Sequence, residues 1–129
     1  MKDAEKTITQ IFWARVSQNQ KKPLFIYHKD GDFPPFTHKG KLRKMSWNEV
    51  GERVKNVGMG LMALGAQKGD RISIMANTSP EWVIADLGLL SIGGETGSIY
   101  PNNLPSQAQY IINDLESRFA FLEGKERRD

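Results

Sequence analysis

No cysteine occurs among the 129 residues. That excludes a disulfide framework, a thiolate metal site and redox thiol chemistry, and it fits a reducing cytoplasm. No run approaches the roughly 18 consecutive apolar residues of a membrane span, and Met1-Lys2-Asp3-Ala4-Glu5-Lys6 carries acids and leads into no apolar segment. Neither a transmembrane helix nor a signal peptide is expected, so the chain reads as cytoplasmic and at most peripheral to the inner face of a membrane. Histidine is scarce as well. His28 and His38 stand ten apart with no carboxylate cluster at ligand spacing, so neither a metal nor a catalytic role is assigned to them. Ser73 and Ser98 lack the Gly-x-Ser-x-Gly elbow of a hydrolase nucleophile. The richest glycine stretch, Gly93-Gly94-Glu95-Thr96-Gly97-Ser98, has no lysine where a phosphate loop needs one, and Glu95 would repel phosphate. It reads as a tight helix-to-strand connection.

What is present describes a soluble globular domain, with 39% hydrophobic and 26% charged residues. The net charge of +3 is uneven: residues 1–59 hold 12 Lys/Arg against 6 Asp/Glu, and residues 60–129 hold 6 against 9. The densest basic run, Lys39-Gly40-Lys41-Leu42-Arg43-Lys44, could attract phosphates or anionic lipid. No aromatics alternate with its bases as they do in single-strand binders. It reads as a solvated hairpin, and no nucleic-acid partner is expected.

Local patterns give an order of elements. Thr7-Ile8-Thr9-Gln10 is a capping-box sequence, and Ile8, Ile11, Phe12 and Val16 then recur at helical spacing. Leu24-Phe25-Ile26-Tyr27 and the stretch Lys41 to Met45 read as two strands, separated by Gly31, Pro34, Pro35 and Gly40 as turn punctuation. Ser46-Trp47-Asn48-Glu49 is a second capping box, with Met45 and Val50 as its hydrophobic staple. Trp47, Val50, Val54, Val57, Leu61 and Leu64 then share one face of a helix ending at Gly65. Gly51 and Gly58 interrupt that helix at about 1 kcal/mol each, which predicts close approach of another element. Trp13, Trp47 and Trp82 all fall on apolar faces and are assigned to the core.

From Arg71 the pattern becomes strand, helix, strand, helix, strand. Arg71 to Ala76 is the first strand; Ser79-Pro80-Glu81 opens a helix that Gly93-Gly94 stops; Glu95 to Tyr100 is the second strand; Asn103 or a neighbour opens a helix through Ala108, Ile111, Ile112 and Leu115; Arg118 to Leu122 is the third strand. Alternation of this kind implies an α/β fold, a three-layer parallel sheet of βαβαβ units with right-handed crossovers, preceded by a short helix and a β-hairpin. The chain is read as one domain or fragment, residues 1–45 giving helix plus hairpin and residues 46–129 a helix followed by βαβαβ. Ligands of such sheets bind beyond the carboxyl ends of the strands. The candidate ligand edge is therefore Asn77, Thr78, Tyr100, Asn102 and Asn103, with Glu123-Gly124-Lys125 at the third strand.

Six stretches, in order, resemble the amino-terminal region of the AMP-forming acyl-CoA synthetases, members of the adenylate-forming enzymes. They are Thr7 to Trp13, Ser46 to Val54, Leu64 to Ile74, Ser79 to Leu87, Ser98 to Asn103 and Tyr110 to Asp114. The Pro80-Glu81-Trp82 segment and the Ile99-Tyr100-Pro101 turn look most like the long-chain fatty-acid branch. One departure is Leu104-Pro105-Ser106, where relatives often have Thr and acids. The resemblance implies a parent enzyme that uses ATP and Mg²⁺ to adenylate a fatty acid and then coenzyme A to displace AMP. The family's phosphate loop, adenine-stacking aromatic, ribose-binding Asp and C-terminal Lys match no position in this sequence. No catalytic residue and no metal ligand is carried over. The chain is expected to be an N-terminal fragment that is inactive alone, partnered by the remainder of the synthetase chain and self-associating through an exposed sheet edge. A stand-alone scaffold or ligand-binding module of the same fold is the alternative.

Overall fold

In a computed structural model, residues 7–28 and 42–123 are described. The stretch between the two strands with His38 and the first half of the basic run, Lys39 to Lys41, lies outside the described residues, as do Met1–Lys6 and the Gly124-Lys125 part of the candidate edge. The described residues up to Arg53 form one compact unit and those from Val54 another.

The first unit begins with α1 (Ile8–Gln18). Its capping box forms as the sequence predicts: the Gln10 N–H donates to Thr7 Oγ1 at 3.2 Å, and the Thr7 N–H donates to Gln10 Oε1 at 2.9 Å. Strands β1 (Pro23–His28) and β2 (Leu42–Ser46) pair antiparallel, with a register shift between Pro23 and Phe25. Helix α2 (Trp47–Ala63) follows directly, its Glu49 N–H bound to Ser46 Oγ at 3.1 Å. Phe12, Met45 and Val50 are buried. Phe12 stacks edge-on against Trp13, with ring centroids 5.0 Å apart. A Cβ on Gly51 would lie 3.0 Å from Val16 Cγ1, so the glycine is where α1 side chains approach α2. The three tryptophans are only half-buried, and the rings of Trp13 and Trp47 pack on Phe12 with centroids 5.0 and 6.1 Å away.

The second unit contains the end of α2, then β3 (Arg71–Met75), α3 (Pro80–Ser91), β4 (Glu95–Ile99), α4 (Pro105–Asp114) and β5 (Phe119–Leu122). The three strands are parallel in the order β4-β3-β5. Alternation along β3 assigns its faces. Ile72 packs with Leu61, Ala66 and Leu89, and with half-buried Phe119 and Phe121; Met75 packs with Ile99 and Ala108, and with half-buried Ile111 and Ile112. The end of α2 and helix α3 therefore cover one face, and α4 the other. Winding reverses after β4, because β5 returns to the far side of β3. Two crossovers of one hand in opposite directions must place their helices on opposite faces, and α3 and α4 are so placed.

Each helix of this unit ends in the same motif. After α2 the Ala66 N–H bonds Leu61 O at 2.9 Å and the Gly65 N–H bonds Met62 O at 3.0 Å, with Gly65 at φ +96°. After α3 the Gly94 N–H bonds Leu89 O at 3.1 Å and the Gly93 N–H bonds Leu90 O at 3.0 Å, with Gly93 at φ +82°. After α4 the Ser117 N–H bonds Ile112 O at 3.0 Å and the Glu116 N–H bonds Asn113 O at 3.1 Å. These are Schellman motifs, which need a left-handed residue. In the third that residue is Glu116, at φ 52°. Replacing it by glycine relieves a Cβ clash with the backbone, at some cost in unfolded-state entropy. Glu116→Gly is expected to raise stability by about 0.5–1 kcal/mol in chemical denaturation; a loss would show that the Glu116 side chain contributes more than its backbone costs.

One expectation needs correction. Leu64 does not join the buried helix face but is 69% exposed, because it follows the last helical residue and the chain turns away at Gly65. Helix α4 opens at the neighbour of Asn103, one of the two openings the sequence allowed. The cap position is Leu104, whose side chain has no acceptor, and its free N–H is satisfied from within the helix by Gln107 Oε1 at 2.9 Å.

Candidate functional site

At the carboxyl end of β3 the chain passes through Asn77 and Thr78, both exposed, to Ser79. Ser79 caps α3 by accepting the Trp82 N–H at 3.3 Å, and Pro80 takes the first helical turn, where no N–H is needed. The β3–β5 junction, where the winding reverses, is the place open sheets use for ligands. Here it is fastened: the Asn77 N–H donates to Glu123 Oε2 at 2.7 Å, and the Glu123 N–H donates to Met75 O at 3.1 Å. Glu123 thus directs its carboxylate back onto the protein.

Beyond β4, Tyr100 is 74% exposed, and its carbonyl accepts the Asn103 N–H at 3.1 Å, closing the turn through Pro101 and the exposed Asn102. Asn103 is half-buried and lines an open depression of about 430 Å³ with Ser106, Gln107, Tyr110 and Ile111. The candidate residues are therefore held as two local groups, Asn77 with Glu123 and Tyr100 with Asn103. Among the described residues the two groups combine amide and hydroxyl side chains with the Tyr110 ring and Ile111, and Glu123 carries the charge.

The Gly93-Gly94-Glu95 stretch does not fit a nucleotide phosphate. Its three amides donate to Leu90 O, Leu89 O and Asp70 O. A Cβ on Gly94 would sit 2.2 Å from Leu89 Cδ1, so the glycine makes room for a buried leucine. Likewise Gly69-Asp70-Arg71 is structural. Gly69 takes φ +87°; Asp70 Oδ2 accepts the Gln67 N–H at 2.7 Å and Arg118 Nη1 at 2.9 Å; Arg71 pairs with Glu95 at 3.3 Å. Arg118 also donates to Gly65 O at 2.8 Å, which ties the end of α2 to the start of β5. Sequence reading missed that tie, since its partners are 48 and 53 residues apart.

Asp70 titrates below its ordinary value of 3.8, chiefly because of the Gln67 N–H, with Arg118 assisting and burial opposing. Its stabilising contribution is full above that ordinary value and is lost as pH falls through the lowered one. Asp70→Asn is expected to flatten the acid limb of the stability–pH curve; an unchanged limb would remove Asp70 from this role.

Ser73 is fully buried in β3, where its hydroxyl bonds that of Ser117 at 2.5 Å. Thr96 Oγ1 donates to Asp86 Oδ1 at 2.6 Å on the other face. Each hydroxyl is engaged in a side-chain hydrogen bond, Ser73 with Ser117 and Thr96 with Asp86 of α3. Among the described residues no cluster of three or more His, Cys, Asp or Glu could hold a metal, and no helix is long and apolar enough to cross a membrane.

Residues 12–129 match the family described as AMP-binding enzyme. The chain is 26% identical over 113 residues to the long-chain-fatty-acid–CoA ligase FadD15 of Mycobacterium bovis, covering 84% of this chain and 19% of that protein. It is 30% identical over 87 residues to fatty acyl-CoA synthetase A of Dictyostelium discoideum, covering 67% and 13%. The chain thus spans about a fifth or less of these relatives' length. Among solved structures, the Klebsiella oxytoca NpsA N-terminal subdomain in complex with 3-hydroxyanthranilyl-AMSN superposes with a TM-score of 0.76 at 19% identity, over 93% of this chain and 28% of that one. The likeness establishes the fold, that of the N-terminal domains of adenylate-forming enzymes.

Proposed function

The chain belongs to the AMP-binding enzyme family, and from that premise we propose that it is the opening scaffold of a long-chain fatty-acid–CoA ligase whose chemistry is carried by other parts of the enzyme. In the whole ligase, ATP with Mg²⁺ would activate a fatty-acid carboxylate as the acyl-adenylate, and coenzyme A would then displace AMP. The observation that carries this reading is the use of the Gly93, Gly94 and Glu95 amides. The family match runs through this stretch, yet every one of these donors is already bonded to a carbonyl. What the segment contributes is a rigid β3–β5 platform, with Asn77 and Thr78 presented at its carboxyl edge. The names of the relatives support the fatty-acyl substrate class. Partners on this reading are the remaining parts of the ligase.

A second reading, a stand-alone binding module, has one observation in its favour: the depression lined by Asn103, Ser106, Gln107, Tyr110 and Ile111. Titration calorimetry of the 129-residue chain with ATP, coenzyme A and a long-chain fatty acid separates the two. The scaffold reading predicts no saturable heat at micromolar ligand; a saturable isotherm with any of the three would favour the module.

A further inference from the structure

We draw no further inference here: the strongest candidate, the outer edge of β5 with its half-exposed Phe119–Leu122 run, is an unpartnered apolar sheet edge among the described residues, and nothing in the structure shows whether a second copy or another polypeptide covers it.

Discussion

Gly88→Ala is expected to destabilise the chain by about 1–3 kcal/mol, net of the helix propensity that alanine adds. A Cβ at this position would lie 2.6 Å from Val57 Cγ1, 2.8 Å from Val57 Cβ and 3.2 Å from Val54 O. None of these atoms yields easily. The first two belong to a β-branched side chain with one favoured rotamer in a helix, and the third is backbone. Relief would require α2 and α3 to separate, and that would disturb the fully buried Val54 and Leu89. Gly58, on the facing helix, gives the internal comparison. Its Cβ would meet Gly88 O and Ile92 Cγ2 at 3.3 Å each, a squeeze of a few tenths of an ångström that a helix-propensity gain of about 1 kcal/mol can balance. Gly58→Ala should therefore stay within about 1 kcal/mol of the parent. Urea midpoints of the two variants check the pair, and a Gly88→Ala protein as stable as the parent would show that the helices do not cross in contact there.

The same crossing shows how far the sequence could be read. Glycines at 51 and 58 inside a strongly periodic helix are visible as an unexplained cost, so close approach could be inferred from them alone. Gly88 could not, because it lies in a helix whose apolar residues surround it and leave no periodic stripe to interrupt. Helix starts with a hydroxyl cap were legible at Thr7, Ser46 and Ser79, and stops were legible where glycine supplied the left-handed residue, at Gly65 and Gly93. The third stop was bracketed between Leu115 and Arg118, but the residue that makes it was hidden because Glu116 adopts that conformation without being glycine. The start of α4 was legible only as Asn103 or a neighbour, because the cap's amide is satisfied by a glutamine reaching backward from inside the helix. That the strands are parallel followed from their alternation with helices, but the order β4-β3-β5 did not, because no local pattern says on which side of β3 each crossover returns.

The candidate site was legible only as an edge. Asn77, Thr78, Tyr100, Asn102 and Asn103 do lie at carboxyl ends of strands, as βαβ topology demands. The fastening of Asn77 to Glu123 spans 46 residues, and the Ser73–Ser117 hydroxyl pair spans 44. No local pattern encodes contacts at such separations. They arise only once three strands are in register.

Acyl adenylation requires donors and cations gathered where charge builds on the α-phosphate. In this chain Arg71 and Arg118 lie at the amino ends of β3 and β5, the edge opposite the candidate site. They are held there by Glu95, Asp70 and the carbonyls of Leu115 and Gly65. The glycine amides between α3 and β4 are spent on closing a helix. On the scaffold reading, the acceleration of many orders of magnitude that an enzyme supplies is expected from other parts of the ligase, and this chain tested alone is expected to give no signal. The most direct measurement is fatty-acid-dependent ATP–pyrophosphate exchange by the purified 129-residue chain. A scaffold without its chemistry gives no exchange above the protein-free blank; robust exchange dependent on the fatty acid would contradict it.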